Sequence, residues 1–372
     1  MRSVLLVSKP IAPPWNDSAK NLVRDVATYG DAFRYHLMTP RDAGEIAPGA
    51  VNERIYPGGG NFAPSLAQNA RVLARLLRPD AIPLYHFFFA PNRRTSSVAR
   101  TIFRLKRRRT LHTICSAPKS YEGIESILFA QRMVVLSNET RRRFAEVGVH
   151  DVDVVPPGIP IEALVDEGRR LAVRRELGLD DRPIVLFAGD YEFSRAAERT
   201  LEIARLVRQS CNAQLVLACR HKTAESPAIE AELRRRTEAW GIAESVRFVG
   251  QVSDIRALLA ASRCVLMPAE TLYAKMDVPL VLLEAMVQET PLVIADVAPL
   301  NELMHDPGLG ARLPVDDLEG YANAVVAFLI DEAKSREAGA RARAVVCEHY
   351  DARVMARRYE AIYTELLADA GE

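Results

Sequence analysis

The sequence predicts an α/β protein of two doubly wound domains that face each other across a cleft. Three observations point there. Short apolar runs alternate with longer helical patterns along nearly all of the 372 residues, as in a parallel sheet buried between helices. The alternation breaks near Glu162–Arg175 and then restarts. A chain of this length also exceeds one ordinary core, so the break reads as a domain boundary. The expected domains are residues 1–165, joined by a closing helix within 351–372, and residues 166–350.

In the first half, Val4–Ser8 reads as a strand, Lys9–Ser18 as a loop and Ala19–Tyr29 as a helix. Leu84–Phe89 and Met133–Ser137 are further strands, and Asn138–Val147 is a helix behind a Ser-Asn start. Val152–Val155 is the last strand, ended by Pro156-Pro157-Gly158. The second half opens with strand Ile184–Ala188, helix Ala196–Gln209 and strand Gln214–Ala218. Helix Ala228–Trp240, strand Val246–Val249, helix Ile255–Ser262 and strand Cys264–Met267 follow. Strand Leu292–Ala295, a helix near Leu318–Phe328 and a long helix Asp351–Leu367 complete the order.

Composition narrows the function classes. With 49% hydrophobic and 26% charged residues the chain reads as globular and soluble. Its five cysteines are scattered, with no C-x-x-C pair, which argues for a reducing compartment and against disulfides or a zinc site. The apolar run in residues 1–8 is too short for a signal peptide, and no 18-residue apolar window exists. A cytoplasmic protein is expected, with peripheral contact at the inner face of a membrane left open. Residues 1–165 hold 23 Lys and Arg against 14 Asp and Glu; the rest hold 26 against 34. The halves are therefore +9 and −8, which suggests different partners for each.

Glu270–Asp296 is the most informative stretch. It sets Glu284 in an apolar helix opened by Asp277-Val278-Pro279, with Asp277 as expected N-cap and Pro279 in the first turn. Leu280, Leu283, Met286 and Val287 recur at helical spacing and should bury one face. A helix start attracts phosphate, and a carboxylate two turns on can accept hydrogen bonds from a ribose. The alternative is a buried helix whose Glu284 is satisfied locally.

Two strand ends carry cations. In Leu186–Arg195, Ser194 is an expected helix cap and Arg195 a candidate pyrophosphate clamp beside it. In Val216–Lys222, Arg220 and Lys222 follow a strand, and ligands bind outside such carboxyl ends. Both segments also read as ordinary turns with solvated charges. His86 and His112, near strand ends of the first half, are structural histidines or groups that polarise a substrate. His112 follows a basic run, Arg104 to Arg109, which with Arg93, Arg94 and Arg141–Arg143 offers a surface for phosphate or acidic lipid, or a solvated face. No aromatics are interleaved with these charges, so nucleic acid is not expected. Asp151-Val-Asp153 resembles a metal-holding D-x-D, a pattern that arises easily by chance, and no metal site is assigned.

Taken in order, Val155-Pro-Pro-Gly-Ile159, Leu186-Phe-Ala-Gly189, Val246–Ser253 and Val281-Leu-Leu-Glu-Ala-Met286 with Thr290–Val293 resemble the family 4 glycosyltransferases of the GT-B fold. The resemblance covers residues 150–300 in register and implies two Rossmann-like domains, a nucleotide-diphosphate sugar held by the second and an acceptor by the first. It implies that Glu284 meets the ribose and that the backbone near Gln251–Ser253 meets the base. Gly189, Val252, Ser253, Val278 and Leu280 would complete the nucleotide site. His112 would sit near the transferred sugar, and Arg195 takes the place of a pyrophosphate-binding Lys.

Three positions depart from the family. Met276 stands where the family has a Glu, Asp190 where it has an Arg, and Pro13–Ser18 lacks the glycines of the acceptor loop. Asp277 is the expected substitute for the Glu, and Lys222 or Lys275 for the Arg. The implied activity is retaining, metal-independent sugar transfer to a glycan or lipid-linked acceptor, with His112, Arg195, Lys222 and Asp277 as catalytic candidates. A sugar-nucleotide epimerase or phosphorylase on this fold and a non-catalytic GT-B module are the alternatives.

Overall fold

The computed structural model describes residues 1–58, 65–89, 93–116, 118, 120–273 and 275–368. The chain divides into two compact units: Met1–Pro160 with Ala274–Val278 and His349–Glu372, and Ile161–Tyr273 with Pro279–Glu348.

The first unit runs β1 (Arg2–Val7), α1 (Ser18–Tyr29), β2 (Phe33–Pro40), β3 (Val51–Tyr56), α2 (Leu66–Leu77), β4 (Leu84–Phe88), α3 (Arg93–Lys106), β5 (Arg109–Ile114), β6 (Arg132–Val135), α4 (Asn138–Glu146) and β7 (Val152–Val154). All seven strands are parallel, in the order β3-β2-β1-β4-β5-β6-β7. Parallel sheets are covered on both faces, so their strands read as unbroken apolar runs. Val4, Leu5, Leu6, Leu84 and Leu111 are accordingly inaccessible to solvent. Below one face, Leu76 of α2 and Ile102 and Phe103 of α3 pack with Tyr85 and Phe87 of β4.

The second unit runs α5 (Glu167–Glu176), β8 (Ile184–Asp190), α6 (Ala196–Val207), β9 (Gln214–Arg220), α7 (Ser226–Ala239), β10 (Val246–Phe248), α8 (Ile255–Ala260), β11 (Cys264–Met267), α9 (Leu280–Val287), β12 (Leu292–Ala295), β13 (Gly310–Leu313), α10 (Leu318–Ile330) and α11 (Glu332–His349). Its six parallel strands lie in the order β10-β9-β8-β11-β12-β13.

The last helix, α12 (Ala352–Ala368), belongs to the first unit. Its Glu360 carboxylate accepts from the Ala32 N–H and the Tyr35 hydroxyl, each at 2.8 Å. Gly158 makes room for it, since a Cβ there would lie 2.7 Å from the Ala352 Cα. The Ile159 N–H then donates to the Tyr350 carbonyl and the Ala352 N–H to the Ile159 carbonyl, both at 2.9 Å.

The sequence reading missed β2, β3, α2, α3, α5, β13 and α11. β3 is a half-exposed edge strand, so its apolar signal is weak. The expected break at Glu162–Arg175 contains α5, capped by Asp166, whose carboxylate accepts from the Arg169 N–H at 2.9 Å.

Candidate active site

The second sheet reverses its strand order between β8 and β11. In doubly wound sheets ligands bind outside the carboxyl ends of the strands at that point. The loop 191–195 after β8 holds two left-handed non-glycine residues, Phe193 (φ 73°) and Arg195 (φ 48°). Such backbone persists only where surrounding contacts enforce it. Glu270, in the loop after β11, supplies them. Its N–H donates to the Ser194 carbonyl at 3.1 Å, and its carboxylate accepts from Arg195 Nη1 at 3.1 Å and Arg199 Nη2 at 2.6 Å. Arg199 is buried on α6 and also donates to the Val315 carbonyl and, at 2.8 Å, to Asp316. One arginine of α6 thus ties together the loops after β11 and β13.

Arg195 remains 56% exposed, donating Nε to Glu198 at 3.0 Å. The guanidinium holds the Glu198 carboxyl below its usual value. Ser194 is not the expected cap. Arg195 occupies the N-cap position of α6, and the buried Ser194 Oγ has no hydrogen-bond partner among the described residues.

Lys222 follows β9. Its Nζ lies 3.6 Å from Asp190 Oδ2, at the end of β8, and 5.1 Å from the centre of the Phe193 ring. Glu192 Oε1 accepts from the Thr223 hydroxyl at 2.9 Å and from Ser226, which pins the Lys222 loop to the β8 loop. Gly189, next to Asp190, is partly exposed within β8.

On α9 the expected face, Leu280, Leu283, Met286 and Val287, is buried, and the burial extends further. Only Val281 and Glu284 are partly exposed; every other residue of the helix is buried. A helix apolar on nearly every side sits inside a core, which leaves Val281 and Glu284 on its partly exposed side. Asp277 does not cap this helix. Pro279 occupies the N-cap position with no side-chain cap bond. Asp277 Oδ2 accepts instead from the Ser137 and Thr140 hydroxyls of the first unit, at 2.7 and 2.6 Å. Val278 and Leu280 are buried beside it. Near the expected base segment, Val252 is partly exposed, and Ser253 Oγ donates to Glu176 of α5 at 2.9 Å.

In the first unit both histidines are fully buried. His86 shares hydrogen bonds with the Tyr363 and Thr113 hydroxyls, each at 2.7 Å. Burial holds it well below its ordinary pKa, a neutral ring whose two nitrogens are both satisfied. That is the structural alternative. His112 Nε2 donates to the Phe89 carbonyl at 2.8 Å, while Nδ1 has no partner among the described residues. Burial lowers its pKa to about 4, partly opposed by the Phe89 carbonyl. At neutral pH Nδ1 is therefore an acceptor.

Much of the basic run is engaged internally. Lys106 donates to the Leu76 and Arg78 carbonyls, Arg108 to the Asp80 carbonyl and Arg100 to the Ser126 and Leu128 carbonyls. Arg142 and Arg143 pair with Glu139. The side chains of Arg93 and Arg94 lie outside what is described. Asp153 is paired with Arg132 at 2.7 Å, and no group of three His, Cys, Asp or Glu side chains gathers among the described residues. Sequence reasoning missed Glu270, Arg199 and Glu192, whose partners lie 31 to 117 residues away.

Residues 182–331 match the family described as Glycosyl transferases group 1. An alpha-D-kanosaminyltransferase of Streptomyces kanamyceticus is 29% identical over 54% of this chain and 50% of its own. A phosphatidyl-myo-inositol mannosyltransferase of Mycobacterium leprae is 28% identical over 64% of this chain and 60% of its own. The chain thus spans about half the length of these relatives. Anabaena Alr3699/HepE, solved with UDP and glucose, superposes with a TM-score of 0.76 over 98% of this chain and 100% of its own, at 17% identity. No helix among the described residues is long and apolar enough to cross a membrane. The chain has the GT-B fold, and its residues 182–331 resemble the glycosyl transferases group 1 family.

Proposed function

We propose that the protein moves a sugar from a nucleotide-diphosphate sugar to an acceptor with retention and without a metal ion. The observation that carries this is the pair of cations, Arg195 and Lys222, held at the carboxyl ends of β8 and β9 beside the reversal in strand order. Both lie inside the segment matched to the family. In the transfer, the bond from the anomeric carbon to the diphosphate breaks while a bond to the acceptor oxygen forms on the same face. The acceptor proton passes to the departing diphosphate. Arg195 and Lys222 stabilise the charge that develops there, and one such preorganised donor is commonly worth about 3 kcal/mol. Glu284 binds the ribose.

A thermal-shift screen of UDP, GDP, ADP, CMP and their sugars, with EDTA and with magnesium, tests the reading, because bound donor raises Tm by mass action. A selective shift with one diphosphate nucleotide, unchanged by EDTA, is expected. Glu284→Ala should weaken that shift and keep the fold. No shift with any nucleotide moves the reading to the non-catalytic module, which acceptor-dependent turnover by the purified chain excludes.

The acceptor we propose is lipid-linked and reached at an acidic membrane surface. From Arg54 to Tyr121 the sequence holds 13 Lys and Arg against one acid, Asp80. Leu77 on α2 and Leu105 on α3 are 56% and 79% exposed, and Arg71, Arg78, Arg104 and Arg107 are exposed near them in sequence. Exposed leucine among cations suits an anionic bilayer surface. Sedimentation should be stronger with vesicles containing acidic lipid and should fall for Leu77→Glu with Leu105→Glu. Equal binding to neutral and acidic vesicles refutes this part.

A further inference from the structure

Two large aromatic rings stand exposed at the reversal point of the second sheet. Phe193, from the loop after β8, is 42% exposed, and Tyr273, from the loop after β11, is 41% exposed. Their centroids are 6.4 Å apart and their planes meet at 76°, an edge-to-face pair. Isolated exposed apolar residues need no explanation, but a contiguous aromatic pair at the carboxyl ends of the strands where their order reverses does. The backbone adds a second reason. Phe193 adopts φ 73°, a conformation unfavourable for any residue with a Cβ. The β11 loop enforces that turn through the Glu270 N–H bond to Ser194. The fold thus holds a phenyl ring out at the strand ends at a cost, where strain clusters when it has a use.

The surroundings of the rings select the ligand. Lys222 Nζ lies 5.1 Å from the centre of Phe193 and 3.6 Å from Asp190, so a cation and its counter-charge border the aromatic surface. Arg195 adds an exposed cation two residues beyond Phe193. A ligand that fits both parts has an apolar C–H face next to an anionic group. A pyranose ring carrying a diphosphate has that form: its axial C–H bonds pack on an aromatic face, and its phosphates meet Lys222 and Arg195.

We infer that Phe193 and Tyr273 form the platform for the hexose ring of the nucleotide sugar, with Asp190 as the positioning residue that holds Lys222 over it. The inference rests on the transferase reading and goes further, since it assigns sugar recognition to residues outside the motifs shared with the family.

Calorimetric titration of the full chain with the nucleoside diphosphate selected by the thermal screen, and with its hexose conjugate, tests it. The readout is the ratio of the two affinities. Phe193→Ala and Tyr273→Ala should each lower the affinity for the conjugate by about tenfold, the order expected of one aromatic contact, and leave the bare diphosphate unchanged. Tyr273→Phe keeps the ring and should behave as the wild type. Phe193→Gly removes the ring and also the backbone strain, so it should fold at least as well as the parent and still lose the preference for the conjugate. An unchanged ratio in Phe193→Gly and Tyr273→Ala overturns the inference while nucleotide binding upholds the transferase reading. Equal losses for diphosphate and conjugate place the rings under the base and also overturn it. Failure of the wild type to bind either ligand overturns the reading on which the inference rests.

Discussion

His86 and His112 lie on the adjacent strands β4 and β5 inside the first unit, whereas Arg195 and Lys222 lie just past the carboxyl ends of the adjacent strands β8 and β9 in the second. In the sequence all four are polar groups near strand ends. The histidines are fully buried among Phe87, Phe88, Phe89 and Tyr359 and stay neutral. The cations keep contact with water and are aimed by carboxylates, Glu270 and Glu198 for Arg195 and Asp190 for Lys222. Burial turns a titratable group into a component of the core; an ion pair at a loop turns one into a directed charge. The two pairs should therefore fail in different assays.

The largest expected effect is on turnover. Arg195→Ala removes a cation from the diphosphate and should lower kcat/KM about a hundredfold, equivalent to about 3 kcal/mol. Its exposed ion pairs contribute little to folding, typically about 0 to 1 kcal/mol, so the melting temperature should hardly move. A variant that melts early yet turns over normally would put Arg195 among the structural groups.

Next comes acid sensitivity. His112 titrates near 4 in the folded chain against an ordinary 6.5. Between those values the unfolded chain binds a proton that the folded chain refuses. Stability is then complete above about pH 6.5 and lost as pH falls toward 4, by about 3 kcal/mol for this group. His86 acts in the same direction. Glu53, held near 2 by His36 and Arg75, keeps its contribution until the pH falls below its ordinary 4.5. Urea denaturation at pH 7.5 and 4.5 should show the loss, and His112→Gln should show less of it. A parent equally stable at both values contradicts the buried neutral ring.

A smaller effect distinguishes Asp277. Its Oδ2 is the acceptor for the Ser137 and Thr140 hydroxyls, and Thr140 Oγ1 is 2.6 Å away. Asp277→Ala leaves two buried hydroxyls without that acceptor, at a cost of about 2 kcal/mol in denaturant midpoints. Affinity for nucleotide should not change if Asp277 serves the first unit, whereas a loss of sugar-dependent affinity restores it as the substitute for the family's missing Glu.

The alternating apolar runs made the doubly wound architecture legible, because strands covered on both faces leave an unbroken signal: Cys264–Met267 and Leu292–Ala295 are found at the expected residues. β3 and α5 were not legible, since an edge strand and a solvated helix bury too little to impose a period. Helix starts were misread where tertiary bonds outcompete local caps, as when Asp277 turns to Ser137 and leaves Pro279 at the N-cap. Arg195 and Lys222 were legible as cations after strands. What aims them was not, because Glu270 lies 75 residues from Arg195 and pairs with it only through the order of the sheet.

Ser253 carries the smallest and most discriminating expectation. Resemblance assigns the segment Gln251–Ser253 to the nucleotide base, yet the Ser253 hydroxyl donates to Glu176 at 2.9 Å and is exposed. An exposed hydroxyl bonded to a surface carboxylate contributes little to folding, and truncating it should cost under about 0.5 kcal/mol. If the backbone of this segment meets the base, Ser253→Ala leaves every main-chain group in place and nucleotide affinity should stay within about twofold. A tenfold loss would instead be about 1.4 kcal/mol, the size of one side-chain hydrogen bond. The hydroxyl would then leave Glu176 when nucleotide binds, and Ser253 would join the directed groups of the second unit.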